Sequence, residues 1–300
     1  MISTPDSRTN ARVITLLLLI VLWGCASESA PDESAPNQDA QSENPRKATA
    51  PPMTDQWQFF PCSMGDDQAF IFLDTGIAES IDQAPSSLAK IRVTYKSPRE
   101  DGLPTDEEFE PVGEIENRIE AQAAEHGDCY VGRVTVSGYR IFYVYTARDE
   151  ETWMRVVSEL AADSGYSIGL AFTEDPEHAG YREDLYPTAD DWQVIKDLQV
   201  LESLESHGDD GSKPRKVDHW IYFESEVAST DFVAWAVADR FTHDPELSGM
   251  NEKGQYCVRL THHGSVRIGE ISSHTIALRR KAEEHGGDYD GWETAVLAPE

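Results

Sequence analysis

Residues 131–146 read VGRVTVSGYRIFYVYT, two runs of strand-forming residues on either side of Ser137-Gly138. This arrangement predicts a β-hairpin, because a Ser-Gly pair between extended runs favours a tight turn. A helix is predicted on each side of the hairpin. The first begins in the acidic turn after Pro104 and ends at Gly127, and the second covers Glu151–Ala162.

Four further strands are predicted around this unit. Lys90–Tyr95 and Tyr166–Phe172 enclose the two helices, and Trp57–Pro61 and Ala69–Gly76 precede them. From Lys90 onward the order is βαββαβ, which is the split βαβ arrangement of ferredoxin-like sandwiches. Residues 56–187 are therefore predicted to form an α+β domain.

Residues 188–300 repeat this order after a leading helix, Ala189–His207, which carries an apolar stripe. Strands are predicted at Val217–Phe223, weakly near Phe241, at Tyr256–Thr261 and at Trp292–Leu297, with helices over Thr230–Arg240 and from Ile268 to Ala282. We expect an α+β fold in which two ferredoxin-like α/β sandwich domains follow one another.

Each half also carries a Glu-His-Gly phrase at the end of a predicted helix, Glu125-His126-Gly127 and Glu284-His285-Gly286. Glycine at this position predicts a left-handed residue that ends the helix. Convergent capping and an old duplication both account for the likeness.

The N-terminus has the pattern of a bacterial lipoprotein signal peptide over residues 1–24. Arg8 and Arg12 precede the apolar run Val13–Leu22, and Trp23-Gly24-Cys25 follows it. The run is shorter than the roughly 20 residues of a membrane-spanning helix. We therefore expect cleavage before Cys25, lipidation of Cys25, and anchoring in the bacterial envelope, with Ala26 favouring the periplasmic face of the outer membrane. The alternative is a cytoplasmic protein translated from Met53.

Residues 25–55 are rich in Ser, Pro, Ala and Glu and show no apolar periodicity. Such a segment cannot bury enough apolar surface to offset its ordering entropy, so it is predicted to be a disordered tether.

The charge of the chain limits its partners. There are 55 acidic and 25 basic residues, which gives a formal net charge of −30. Binding to nucleic acid depends on Lys and Arg that neutralise phosphates, so direct binding of DNA or RNA is not expected. A protein partner with a basic segment fits this charge better.

Three motifs in residues 188–300 resemble the family of the regulator of ribonuclease E activity B (RraB). They are His207-Gly208-Asp209-Asp210, residues 214–223 (PRKVDHWIYF) and residues 286–293 (GGDYDGWE). Residues 56–187 resemble domain of unknown function 695, through Asp101-Gly102-Leu103-Pro104, the Gly132 to Tyr145 hairpin and the phrase around Glu174-Asp175-Pro176, Tyr181 and Leu185-Tyr186-Pro187. The second resemblance implies no established activity.

The RraB resemblance implies a non-catalytic module that binds protein, since that family binds the partly basic C-terminal region of ribonuclease E and restrains RNA cleavage. Its motifs supply the partner-binding candidates, which are Asp209, Asp210, Arg215, Asp218, His219, Tyr222, Asp288, Tyr289, Asp290 and Trp292. Ribonuclease E works in the cytoplasm, whereas the leader predicts export. An exported chain therefore needs a different, envelope partner, and a start at Met53 would restore ribonuclease E as the target.

Neither a metal site nor a catalytic site is predicted, and no cofactor is expected. Asp288-Tyr289-Asp290-Gly291 supplies only two carboxylates of a calcium loop, and His262-His263 on a strand point to opposite faces. No nucleophile elbow or Cys-His pattern is found. The competing hypothesis is an exported hydrolase or metal-dependent enzyme within residues 56–187.

Cys62, Cys129 and Cys257 remain after Cys25. In an oxidising compartment Cys62 and Cys129 are the plausible disulfide pair. The favoured interpretation is three buried thiols that behave as small apolar side chains.

Overall fold

The computed structural model describes residues 51–297, except 52 and 66. The predicted signal peptide, Cys25 and residues 26–50 of the predicted tether lie outside the described residues. The described part has a mixed α/β architecture with two antiparallel sheets and six α-helices.

The first sheet has six strands in the order β1-β2-β4-β5-β3-β6. The strands are β1 (Trp57–Met64), β2 (Asp67–Asp74), β3 (Ser87–Thr94), β4 (Cys129–Val136), β5 (Tyr139–Thr146) and β6 (Ser167–Glu174). Helices α1 (Asp106–His126) and α2 (Glu150–Ser164) and the short helix α3 (Ala179–Arg182) belong to the same part of the chain.

The predicted hairpin and the predicted end of α1 at Gly127 are confirmed. Ser137 and Gly138 form the turn between β4 and β5, with φ of 48° and 85°. Gly127 ends α1 in the left-handed conformation at φ 72°, and its N–H donates to the carbonyl of Ala123. The Asp149 side chain caps α2 by accepting from the N–H of Thr152 at 2.8 Å.

Both faces of the first sheet are covered. Val112, Ile119 and Trp153 of α1 and α2 pack on one face, and Ile81 and Tyr181 pack on the other. All eight residues of β4 are buried as a result.

The second sheet has the strand order β11-β7-β10-β8, and the two-residue strand β9 also pairs with β10. Its strands are β7 (Arg215–Phe223), β8 (Thr242–His243), β9 (Gly249–Met250), β10 (Tyr256–Gly264) and β11 (Gly287–Thr294). Its helices are α4 (Ala189–Ser206), α5 (Glu226–Ala238) and α6 (Ile268–Glu284).

The last strand differs from the prediction. The sequence predicts a strand at Trp292–Leu297, whereas β11 covers Gly287–Thr294. Residues 287–290 contain two Asp and one Gly, which have low strand propensity. Pairing with β7 overrides this preference, and a bulge between Tyr289 and Gly291 adjusts the register.

Helix α4 contributes to the cores of both sheets. Ile195 belongs to the core under the first sheet, and Leu204 packs with Val217 and Trp292 of the second. No helix in the described part of the chain combines the length and apolar character needed to cross a bilayer.

Candidate functional site

The strands of the second sheet divide the motif residues between two faces. Side chains alternate along a strand, so Val217, Ile221 and Phe223 of β7 enter the cores while Trp220 and Tyr222 lie on the opposite face. We call this opposite face the outer face. It consists of Asp218, Trp220, Tyr222, Cys257, Arg259, Asp288, Asp290 and Glu293.

The pairing register arranges the outer face in rows. Tyr222 pairs with Cys257 of β10 on one side and with Asp288 of β11 on the other. Trp220 pairs with Arg259 and Gly291 in the next row. Two half-buried aromatic side chains therefore lie at the centre of the face, on its middle strand.

Arg259 places a positive charge beside the aromatic side chain of Trp220. Its guanidinium lies 4.8 Å from the centre of the Trp220 ring. It also forms an ion pair with Asp218 at 3.0 Å, and Asp218 has a second ion pair with Lys216 at 3.0 Å. Asp218 is only 9% exposed. Its carboxylate is already paired with Arg259 and Lys216 inside the domain.

The acidic edge of the outer face is formed by β11. Asp288, Asp290 and Glu293 are all exposed. Burial raises the pKa of the Tyr222 hydroxyl, and the nearby Cys257 thiol and Asp290 carboxylate raise it further. Burial also raises the pKa of Cys257, partly offset by its hydrogen bond to Tyr222. The thiol is therefore protonated at neutral pH, which is unlike an activated nucleophile.

Asp210 lies in the loop before β7 and is exposed. Its carboxylate accepts from the N–H of Ser212 at 2.9 Å and from the hydroxyl of Ser212 at 2.6 Å. These two hydrogen bonds lower the pKa of Asp210, so it carries its negative charge at neutral pH.

Asp209 and Arg215 form a buried ion pair, with exposures of 2% and 4%. Arg215 Nη2 donates to Asp209 at 2.8 Å, and the N–H of Leu297 donates to the same carboxylate at 2.7 Å. The Arg215 hydrogen bonds lower the pKa of Asp209 to about 2. In this structure the pair fixes the chain beyond β11, and a partner contact for either residue stays a prediction.

His219, Tyr289 and Trp292 point away from the outer face and are buried. The Tyr289 hydroxyl lies 2.8 Å from His219 Nδ1, and His219 Nε2 lies 2.8 Å from Nδ1 of His262. Trp292 Nε1 donates to Asp197 at 2.9 Å. These three candidates thus organise the core beneath the sheet.

Asp197 is a fully buried carboxylate on α4 that the sequence analysis missed. It accepts four hydrogen bonds, at 2.6–2.9 Å, from Gln193, Ser272, Thr275 and Trp292. The pKa of Asp197 is raised above its ordinary value, because the effect of burial outweighs that of the hydrogen bonds, which lower it. The available signal was an acid within the apolar stripe of α4, at helical spacing from Val194 and Leu201.

The first sheet carries a separate buried charge cluster. The Glu116 carboxylate accepts from Tyr130 at 2.8 Å and from Arg140 at 3.3 Å, and it also pairs with Arg133. Burial and the neighbouring Glu116 raise the pKa of Glu120 to about 7. Because the Glu116 carboxylate is fully paired, the cluster is built as a structural network.

The remaining candidates for chemistry are the cysteines and the possible metal ligands. Cys62, Cys129 and Cys257 are free thiols in the structure. Burial raises the pKa of Cys62 to about 11 and that of Cys129 to about 12. Among the residues that the structure describes, no group of three or more His, Cys, Asp or Glu side chains is arranged to hold a metal ion.

Comparisons with known proteins divide the chain in the predicted order. Residues 55–186 match the model of a family of unknown function (DUF695), and residues 195–294 match that of the regulator of ribonuclease activity B (RraB). No curated protein matches the chain. The crystal structure of an unknown protein from Galdieria sulphuraria is 11% identical, with a TM-score of 0.19, and the match covers 70% of this chain and 99% of that one. A score this low supports no inference about fold or function.

Proposed function

We propose that the chain is a non-catalytic, membrane-tethered regulatory module that binds a protein partner through the outer face of its second sheet. The observation that carries this proposal is the centre of that face, where Trp220, Tyr222 and Arg259 lie beside exposed acids of β11. The match of residues 195–294 to a regulator family supports the same assignment.

The composition of the outer face fits a basic partner segment. Trp, Tyr and Arg contribute most often to the binding energy of protein interfaces. Asp288, Asp290 and Glu293 supply negative charge at the rim, where it speeds encounter with a basic segment and sets its orientation. Tyr222 lies on this face, exposed Asp210 adds negative charge in the loop before β7, and buried His219, Tyr289 and Trp292 would support the face from beneath.

We further propose that each half, 56–187 and 188–300, is a ferredoxin-like domain. The order β4-β5-β3-β6 in the first sheet and β11-β7-β10-β8 in the second supports this assignment. The separate hypothesis of a hydrolase in residues 56–187 gains no support from Glu116, whose carboxylate is already fully paired.

The proposed location is the bacterial envelope, on the lipid attached to Cys25. Labelling cells with a palmitate analogue tests it directly, with Cys25→Ala as the control. Label on the wild type and none on the variant supports the tether and an envelope partner. An unlabelled product that begins near Met53 would instead make inhibition of cytoplasmic ribonuclease E the function to test.

The proposed envelope partner is defined only by its basic segment, so the basic C-terminal segment of ribonuclease E serves as the probe for the outer face. We expect Trp220→Ala and Tyr222→Ala each to weaken binding at least tenfold, and Asp288→Asn with Asp290→Asn to weaken it mainly at low salt. Tyr139→Ala, a half-buried tyrosine of the first sheet, is the matched control. Equal affinities for all these variants would exclude the outer face as the binding surface.

A further inference from the structure

Among the residues that the structure describes, the first sheet ends at strand β6, whose outer edge pairs with no other strand. β6 pairs with β3 over all eight residues, Ser167–Glu174, and the sheet ends there. Such an edge presents N–H and C=O groups that another strand can bind. Proteins usually protect these edges with charges, proline or a bulge, and residues 167–173 contain none of the three.

The sequence of β6 is symmetric in residue type about Leu170. On each side of Leu170 there follow a small residue, a large apolar residue and a hydroxyl-bearing residue. The three pairs are Gly169 and Ala171, Ile168 and Phe172, and Ser167 and Thr173. A strand with this symmetry is complementary to an antiparallel copy of itself.

We infer that β6 pairs with β6 of a second copy of this chain, around a two-fold axis at Leu170. Directly opposed side chains in an antiparallel pair lie on the same face. Ile168 of one copy then lies beside Phe172 of the other, continuing the apolar layer under α2, and Gly169 lies beside Ala171 on the opposite face. An isologous interface requires this kind of self-complementarity.

The charges at the ends of β6 favour the same register. It places Glu174 of one copy opposite Tyr166 of the other, and Lys96 Nζ lies 3.9 Å from the centre of the Tyr166 ring. Each end of the pairing therefore brings a carboxylate toward an ammonium group. The net charge of −30 opposes association, but salt screens exposed charges beyond about 8 Å at physiological ionic strength.

Disulfide cross-linking of the full chain in cells tests the register. With Leu170→Cys, diamide should yield a disulfide-linked dimer on a non-reducing gel, because opposed Cβ atoms lie about 4.5–5.5 Å apart. The wild-type chain gives the background of cross-linking through the native cysteines. Ser167→Cys is the control, since its copies would be six residues apart, or about 20 Å. Cross-linking of both variants, or of neither, overturns the proposal.

A charge variant tests the interface itself. Adding Gly169→Glu and Ala171→Glu to Leu170→Cys places carboxylates opposite one another across the two-fold axis, and the cross-linked fraction should fall at least tenfold. Within one copy these positions adjoin Arg92 and Lys90 of β3, and a side chain at 169 meets open space. Ala121→Glu with Ala124→Glu, on the exposed side of α1, adds equal charge and should keep the dimer. Undiminished cross-linking in the β6 variant, or loss in the α1 control, contradicts the proposal.

Discussion

His262 is held neutral by its position in the second sheet. Its Nδ1 lies 2.8 Å from Nε2 of His219, and its ring centre lies 4.2 Å from that of His274. Burial, together with the neighbouring His274 and His263, lowers the pKa of His262 to about 4. If two of these histidines were protonated, two positive charges would lie side by side in a buried region.

The histidine cluster should make the stability of the fold depend on pH. The unfolded chain binds a proton at His262 near its ordinary pKa of 6.5, whereas the folded chain does so only near 4. The unfolded state therefore binds more protons between these values, and the free energy of unfolding should fall as the pH is lowered from 6.5 to 4. Urea unfolding at pH 7.5, 6 and 5 measures this slope.

His262→Gln should flatten the slope, while His126→Gln, at an exposed position at the end of α1, should leave it close to that of the wild type. Carboxylates titrate in the same range, so the comparison between the two variants isolates the histidine contribution. Equal slopes for all three proteins would show that His262 binds its proton equally in the folded and unfolded states.

Gly287 shows how β11 depends on a close approach between its backbone and the ring of Phe223. A Cβ atom at Gly287 would overlap the ring of Phe223, which is 1% exposed. We expect Gly287→Ala to destabilise the fold by about 1–3 kcal/mol, because a packed core has no room for an added methyl group. Thermal unfolding measures the change. Gly269→Ala on α6 meets no atom within 4 Å and should stabilise by about 0.5–1 kcal/mol. A Gly287→Ala variant as stable as the wild type would mean that Phe223 can move.

The type and order of the elements could be predicted because periodicity and turn residues are local. The Ser137-Gly138 turn and the end of α1 at Gly127 are examples. The faces of β11 could not be predicted, since simple alternation places Tyr289 and Trp292 on opposite sides. The bulge after Tyr289 inserts one residue and turns both aromatic side chains into the core.

The candidate site was predictable as a set of residues but not as a surface. The motifs identify Tyr222, Asp288 and Asp290, and pairing of β7 with β11 brings them to one face. Trp220 and Arg259 were missed because their contact depends on the pairing of β7 with β10, which no short motif encodes. The Asp209–Arg215 pair lies in the same motifs, yet its burial depends on the chain beyond β11.

Helix α4 connects the two sheets within one compact unit of the chain. Ile195, 3% exposed, packs into the core under the first sheet, while Leu204 packs into a core of the second. Asp190 at the start of the helix pairs with Arg279 of α6 at 2.5 Å. The proposed division at residue 187 therefore assigns α4 to the second half, although α4 contributes side chains to the cores of both halves.

Shared burial of α4 predicts that the two sheets unfold together. Ile195→Ala should lower the free energy of unfolding by about 2–5 kcal/mol and raise hydrogen exchange in both β1 and β7, because loosening α4 uncovers both cores. Lys196→Ala, at an exposed position on the same helix, should change stability by less than about 0.5 kcal/mol. Faster exchange confined to β1 would show that the second sheet is stable without the contacts of α4 to the first. In that case a fragment of residues 188–300 should fold alone and carry the outer face with it.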